Sequence, residues 1–202
     1  YMKENMLELF QNFLFSLLLS SSLSMFANIE TAQTNQIDSL KNLISIHELS
    51  ADKVDLLNNL AMHQIVYAKY DSAKVTIDKS IFLSQELGYQ KGEGIAYCYL
   101  AQVVSMMGNR HLAIKFHDAS IRIHEAASHH LEKAYSLTQK GKNFQFLQKK
   151  EEAIECLNQA LLIQQALGNQ NGIADVYGVF RLVYDDGVNT AKALDYYFKC
   201  IN

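Results

Sequence analysis

The chain has no proline and only nine glycines in 202 residues. An all-β sandwich needs turn punctuation every 8 to 12 residues, and this sequence cannot supply it. Charge is also sparse. Charged residues make up 19% and the formal net charge is -3, so there is no broad basic field for nucleic acid to bind. The three cysteines, Cys98, Cys156 and Cys200, form no CxxC pair, and an odd number is no disulfide framework. Each falls in a helical pattern, where a free cysteine behaves as a small apolar side chain. What is present is apolar residue, 49% of the chain, enough to build a core. The length fits one domain, or one domain with a short tail. Long helices joined by short turns are the expectation.

The N-terminus differs from the rest. From Leu7 to Ala27 only Glu8 is charged. Lys3 precedes the run, and the small residues Ser20, Ser21, Ser22, Ser24 and Ala27 follow its apolar middle. This is the layout of a secretory signal, weakened by Glu4 and Glu8, and it predicts export to the periplasm or cell envelope. The alternatives are an uncleaved anchor or an ordinary amphipathic first helix, which would leave the protein cytoplasmic. Tyr1 before Met2 points to a start at Met2 or to a fragment. At the other end the chain stops inside an apolar-periodic stretch at Asn202, so further sequence is expected there.

A forty-residue period is the dominant signal. Alanine recurs at Ala73, Ala113, Ala153 and Ala193. Seven residues on stand Ser80, Ser120, Ala160 and Cys200, all small, with Ile81, Ile121, Leu161 and Ile201 beside them. Each repeat holds two helical patterns. Tyr97, Leu100, Ala101, Val104 and Met107 form one stripe; Ala113, Phe116, Ser120, Ile123 and Ala127 form the next. Small residues at Ala61, Ala101 and Gly141 on the first helix and at the alanine column on the second let two antiparallel backbones approach. One such pair cannot bury its apolar face alone, so successive pairs must stack. Turns are expected near Ala68-Lys69, Gly88-Tyr89, Gly108-Asn109, His129-His130, Gln148-Lys149, Gly168-Asn169 and Gly187-Val188.

This pattern resembles the tetratricopeptide repeat. The first-helix motif reads Leu100-Ala101 with Val104, Gly141 with Phe144, and Phe180-Arg181 with Tyr184. The second reads Ala153-Ile154-Glu155-Cys156-Leu157 with Ala160. The period exceeds the usual 34 residues by about six, or roughly 9 Å of helix, as in the forty-residue variant of the family. Arg181 replaces the small residue of the last repeat, which puts its packing in doubt. The resemblance implies an all-α, right-handed superhelical solenoid of antiparallel helix pairs. Together with the apolar N-terminal run it divides the chain into a signal-like segment over 1–27, a linker and half-repeat helix over 28–50, and repeats at about 51–90, 91–130, 131–170 and 171–202, the last one truncated. A protein or peptide is then the partner. The helix Ile37-Asp38-Ser39-Leu40 and the run from Lys53 to Ala61 are similar to the N-terminal sensor region of Bacteroidetes-type signalling proteins. Such chains continue into a histidine kinase or a DNA-binding regulator, so the alternative reading is the regulatory part of a larger enzyme, or a cytosolic peptide receptor.

Chemistry is sparse. No phosphate loop, GxSxG or HExxH motif is present. The Gly92-Glu93-Gly94 turn reads as packing rather than a phosphate cradle, and Asp185-Asp186 as a solvated helix end. His117 and His124 share a helix face, but a zinc site needs three or four converging ligands. His117 also stands in the column of Ile77, Leu157 and Tyr197, so it reads as a packed side chain. No catalytic residue, cofactor or metal is expected in this chain. The candidate groove lies on the first helices, facing away from the second ones. By register it holds Asn58, Met62, Cys98, Gln102, Thr138, Lys142 and Gln145. Only Asn58 and Lys142 match in kind the Lys, Arg and Asn that clamp a peptide carboxylate.

Overall fold

The computed structural model describes residues 35–185 and 190–201. The signal-like segment and the Gly187-Val188 turn lie outside the described residues. Within them the chain is all-α, with no strand. Helix α1 covers 35–46. Then come α2 (Ala51–Val66), α3 (Tyr70–Leu87), α4 (Gln90–Met106), α5 (Arg110–Ala126), α6 (His130–Phe146), α7 (Lys150–Ala166), α8 (Gln170–Tyr184) and α9 (Thr190–Ile201). The chain divides into two compact units, Tyr1–Ser45 and Ile46–Asn202. In the first, Lys41 pairs with Asp38 at 3.0 Å and the Ser45 hydroxyl donates to the Asn42 carbonyl at 2.7 Å. The second is the repeat array.

One turn design joins the helices from α2 to α8. Residues 68, 88, 108, 128, 148 and 168, twenty apart, all have φ between 55° and 93°. At each, two bonds close the helix end. In the first turn the Ala68 amide donates to the Ile65 carbonyl at 3.0 Å, and the Lys69 amide to that of Gln64 at 2.7 Å. The same pair recurs at Gly168 and Asn169, which donate to Gln165 and Gln164. These are Schellman closures, which satisfy carbonyls that the helix itself leaves open. Glycine takes the left-handed position at Gly88, Gly108 and Gly168; Ala68, Ser128 and Gln148 take it against a steric cost of about 1–2 kcal/mol. Side-chain caps start α2, α5 and α8, where Ser50, Asn109 and Asn169 accept from the amides of Lys53, Leu112 and Gly172.

The small columns sit where the helices cross. Ala61, Ala73, Ala101, Ala113, Ala153, Ser80, Ser120 and Ala160 are fully buried, and Ala193 nearly so. A Cβ on Gly141 would stand 3.1 Å from Leu157 and 3.3 Å from the Ala153 carbonyl oxygen, so α6 and α7 touch there almost backbone to side chain. In the last repeat Phe180 fills the crossing, stacked on Tyr196 at 4.8 Å, while Arg181 is half-buried.

The apolar core of the array is in two pieces. One joins α2 to α5 through Ile77, Leu100, Val103 and Ala113. The other joins α6 to α9 through Leu137, Leu157, Val176 and Phe180. Between them lies a buried polar seam of Cys98, His117, Ser120, His124 and Ser136. The Ser120 hydroxyl donates to the Gly94 carbonyl at 2.7 Å and lies 2.8 Å from that of Ser136. Gly94 lacks a side chain because the His124 ring occupies the space a Cβ would take, so it is a packing glycine.

Candidate functional site

Which face is concave follows from the packing order. Consecutive helices pack against each other from α2 to α9. Beyond that, α2 packs on α4, α4 on α6, and α6 on α8, whereas among the described residues α3, α5, α7 and α9 do not meet one another. A stack whose first helices touch and whose second helices splay must curve toward the first. The even-numbered helices therefore line the inner face.

On that face lies a hollow of about 450 Å³, floored by Met62, Ile95, Tyr99, Leu131 and Tyr135 and bordered by Glu132, Asn171 and Asp175. This is within the usual range for a binding cleft. Its lining is largely apolar. Burial pushes the Tyr99 and Tyr135 phenols up to about 12, so both stay protonated and able to donate. Tyr135 also accepts from the Gln102 amide at 3.2 Å. Burial works against the Glu132 carboxylate, but its own backbone amide and the Lys91 ammonium, 3.1 Å away, outweigh it and hold it below the usual carboxylate range. His124 sits at the back of the hollow with burial pushing it down to about 4, so it is neutral at physiological pH.

The residues expected in the groove divide into two sets. Met62 is 37% exposed and lines the hollow; Gln102 and Lys142 are half-buried on the same face. Gln145 lines a second hollow of about 400 Å³, with Gln148, Leu182 and Asp185, and its carbonyl oxygen is buried without a partner. Cys98, although only 2% exposed, also lines the first hollow, whereas Asn58 and Thr138 sink between helices at 4% and 3% exposure. The Asn58 amide donates to the Gly92 carbonyl at 3.0 Å and its oxygen accepts from Ser80 at 2.7 Å. Thr138 donates to the Ala134 carbonyl at 2.9 Å. Cys98 lies 3.8 Å from the His117 Nδ1. Their polar groups are engaged within the fold, because this column faces the neighbouring repeat. Tyr99, Leu131, Tyr135 and Asp175 were not anticipated. The usable signal was the column Asp55, Ile95, Tyr135 and Asp175, three residues before the buried one and on the same helices.

Among the described residues no three histidine, cysteine or acidic side chains converge as a metal site would require. No described helix is long and apolar enough to cross a membrane. Burial raises the Cys98 and Cys156 thiols to about 11, which leaves them protonated and inert.

Residues 92–166 match the family model of the tetratricopeptide repeat, so over that span the repeat read from the small-residue columns is of the tetratricopeptide type. Arrays of this kind are scaffolds for protein–protein interaction. In fold the chain is similar to BtubC (BKLC) from P. vanneervenii, with a TM-score of 0.67 at 17% identity over 85% of this chain and 70% of that one. It is also similar to the nearly identical TPR-like repeats of a putative kinesin light chain from Podosopora anserina. There the TM-score is 0.61 at 13% identity, over 85% of this chain and 87% of that one. No curated protein matches the chain.

Proposed function

We propose that the inner face of the even-numbered helices holds an extended segment of a partner protein, and that this chain takes no catalytic part itself. The observation that carries this is the apolar hollow beside Met62, Tyr99 and Tyr135, on the face toward which the stack curves. Gln102 and Lys142 stand along the same face to meet a peptide backbone. The test is affinity for an isolated partner. Gln102→Ala combined with Lys142→Glu should weaken binding at least tenfold, about 1.4 kcal/mol, with an unchanged melting curve. Equal binding by the double variant would move the contact to the convex face.

The setting we propose is the interaction part of an exported bacterial signalling protein. The apolar run ending at Ala27 and the sensor-like helix from Ile37 support it. N-terminal sequencing of protein made in its own host should find a chain starting within a few residues of Asn28. Intact Met2 on cytoplasmic protein would reject export. The reading frame beyond Asn202 decides the output: kinase or regulator motifs there would make this the sensory part of such a protein, and their absence would remove the signalling role.

A further inference from the structure

Resting on the groove reading above, we infer that the hollow selects a peptide segment carrying lysine or arginine beside an apolar residue. Asp175 is exposed at its edge and has no ion-pair partner among the described residues. Glu132 shares its charge with one cation, Lys91. Among the described residues no lysine or arginine lines the hollow, and His124 behind it carries no charge near neutral pH. The local field is therefore negative over a floor that is apolar and aromatic.

A lysine or arginine fits both features at once. Its stem lies along Leu131 and Met62, in the manner of long cationic side chains that cover apolar surface. Its head reaches the Asp175 carboxylate, with the Tyr135 ring next to it to stabilise a cation. Asp175 and Tyr135 line the same hollow, so a side chain seated there meets both. The flanking apolar residue occupies the floor near Tyr99. An acidic segment would instead set like charges side by side in a partly dry cleft, which disfavours binding. A nucleic acid backbone meets the same obstacle.

The experiment is selection of random linear peptides displayed on phage against the purified chain, repeated with Asp175→Asn, Asp175→Lys and Tyr135→Ala. The native chain should enrich peptides with lysine or arginine adjacent to leucine, methionine or phenylalanine. A synthetic peptide of that consensus should lose at least tenfold in affinity to the Asp175→Asn chain, and Asp175→Lys should turn the selected consensus acidic. If the peptides show no basic preference yet are lost with Tyr135→Ala, the inference fails and the groove stands. Should Tyr135→Ala bind them as well as the native chain, the groove reading itself fails. Recovery of no peptide at all overturns both.

Discussion

Acid should weaken this fold before most carboxylates are protonated, and two histidines set how much. His117 is fully buried and His124 is 1% exposed. Neither His117 Nε2 nor either ring nitrogen of His124 has a hydrogen-bond partner. Burial lowers His117 from its ordinary 6.5 to about 3, with the Lys140 charge adding to the effect. Burial likewise brings His124 to about 4; there the Glu132 charge opposes it, while those of His129 and Lys91 act with it. Both are thus neutral in the folded chain at a pH where the unfolded chain binds protons. Their contribution is complete above pH 6.5 and is lost as pH falls toward 4 and then 3. At pH 5 the gap from 6.5 is about 1.5 units, so each costs about 2 kcal/mol and together they cost about 4 kcal/mol. Against a typical stability of roughly 5–15 kcal/mol this is large. Urea melts followed by far-ultraviolet circular dichroism at pH 7.5 and pH 5 measure it. His117→Leu, which restores the apolar type found at Ile77 and Leu157 in the same column, should shrink the loss by about half. Equal stability at the two pH values, or an unreduced loss in His117→Leu, would refute the account of the polar seam.

Three further outcomes follow from the packing. Ala113→Leu and Ala153→Leu should each destabilise by about 1–3 kcal/mol, because no methylene fits at a fully buried helix crossing; unchanged melts would place these alanines on the surface. Ala68→Gly and Ser128→Gly should each stabilise by about 1 kcal/mol, since both sit at φ near 55° where glycine carries no Cβ clash; a lower urea midpoint would show that the turns are not left-handed. Cys98 and Cys156 should react with a thiol reagent at pH 8 only after unfolding; prompt labelling of either in the native chain would contradict their burial.

The forty-residue period was legible because helix crossings repeat, and each crossing admits only a small side chain. Alanine at 73, 113, 153 and 193 reports that constraint directly. The turns were legible at Gly88, Gly108 and Gly168 by residue type, and at Ala68, Ser128 and Gln148 only by spacing, since any residue can be forced left-handed at a modest cost. The groove was harder. Asn58 and Thr138 share a column and a polar character, which suggested a surface, yet their short side chains let neighbouring repeats close over them. The column that reaches the hollow reads Asp55, Ile95, Tyr135 and Asp175, chemically unlike one another. A binding face need not repeat, because a partner is not periodic, so periodicity could locate the helices but not name their exposed faces. The polar seam was likewise hidden: His117 reads as a packed residue, but that it joins His124 and Ser120 between two apolar clusters depends on the stacking of α4, α5 and α6.

The central claim, that the inner face of the even-numbered helices is where a partner sits, is tested most directly by methyl nuclear magnetic resonance with labelled methionine. Met62 lines the hollow, while Met106 and Met107 stand exposed at the α4–α5 turn. Titration with a peptide selected on the native chain should shift the Met62 methyl signal to saturation and leave those of Met106 and Met107 in place. Movement of the turn methionines with Met62 unaffected would contradict the claim.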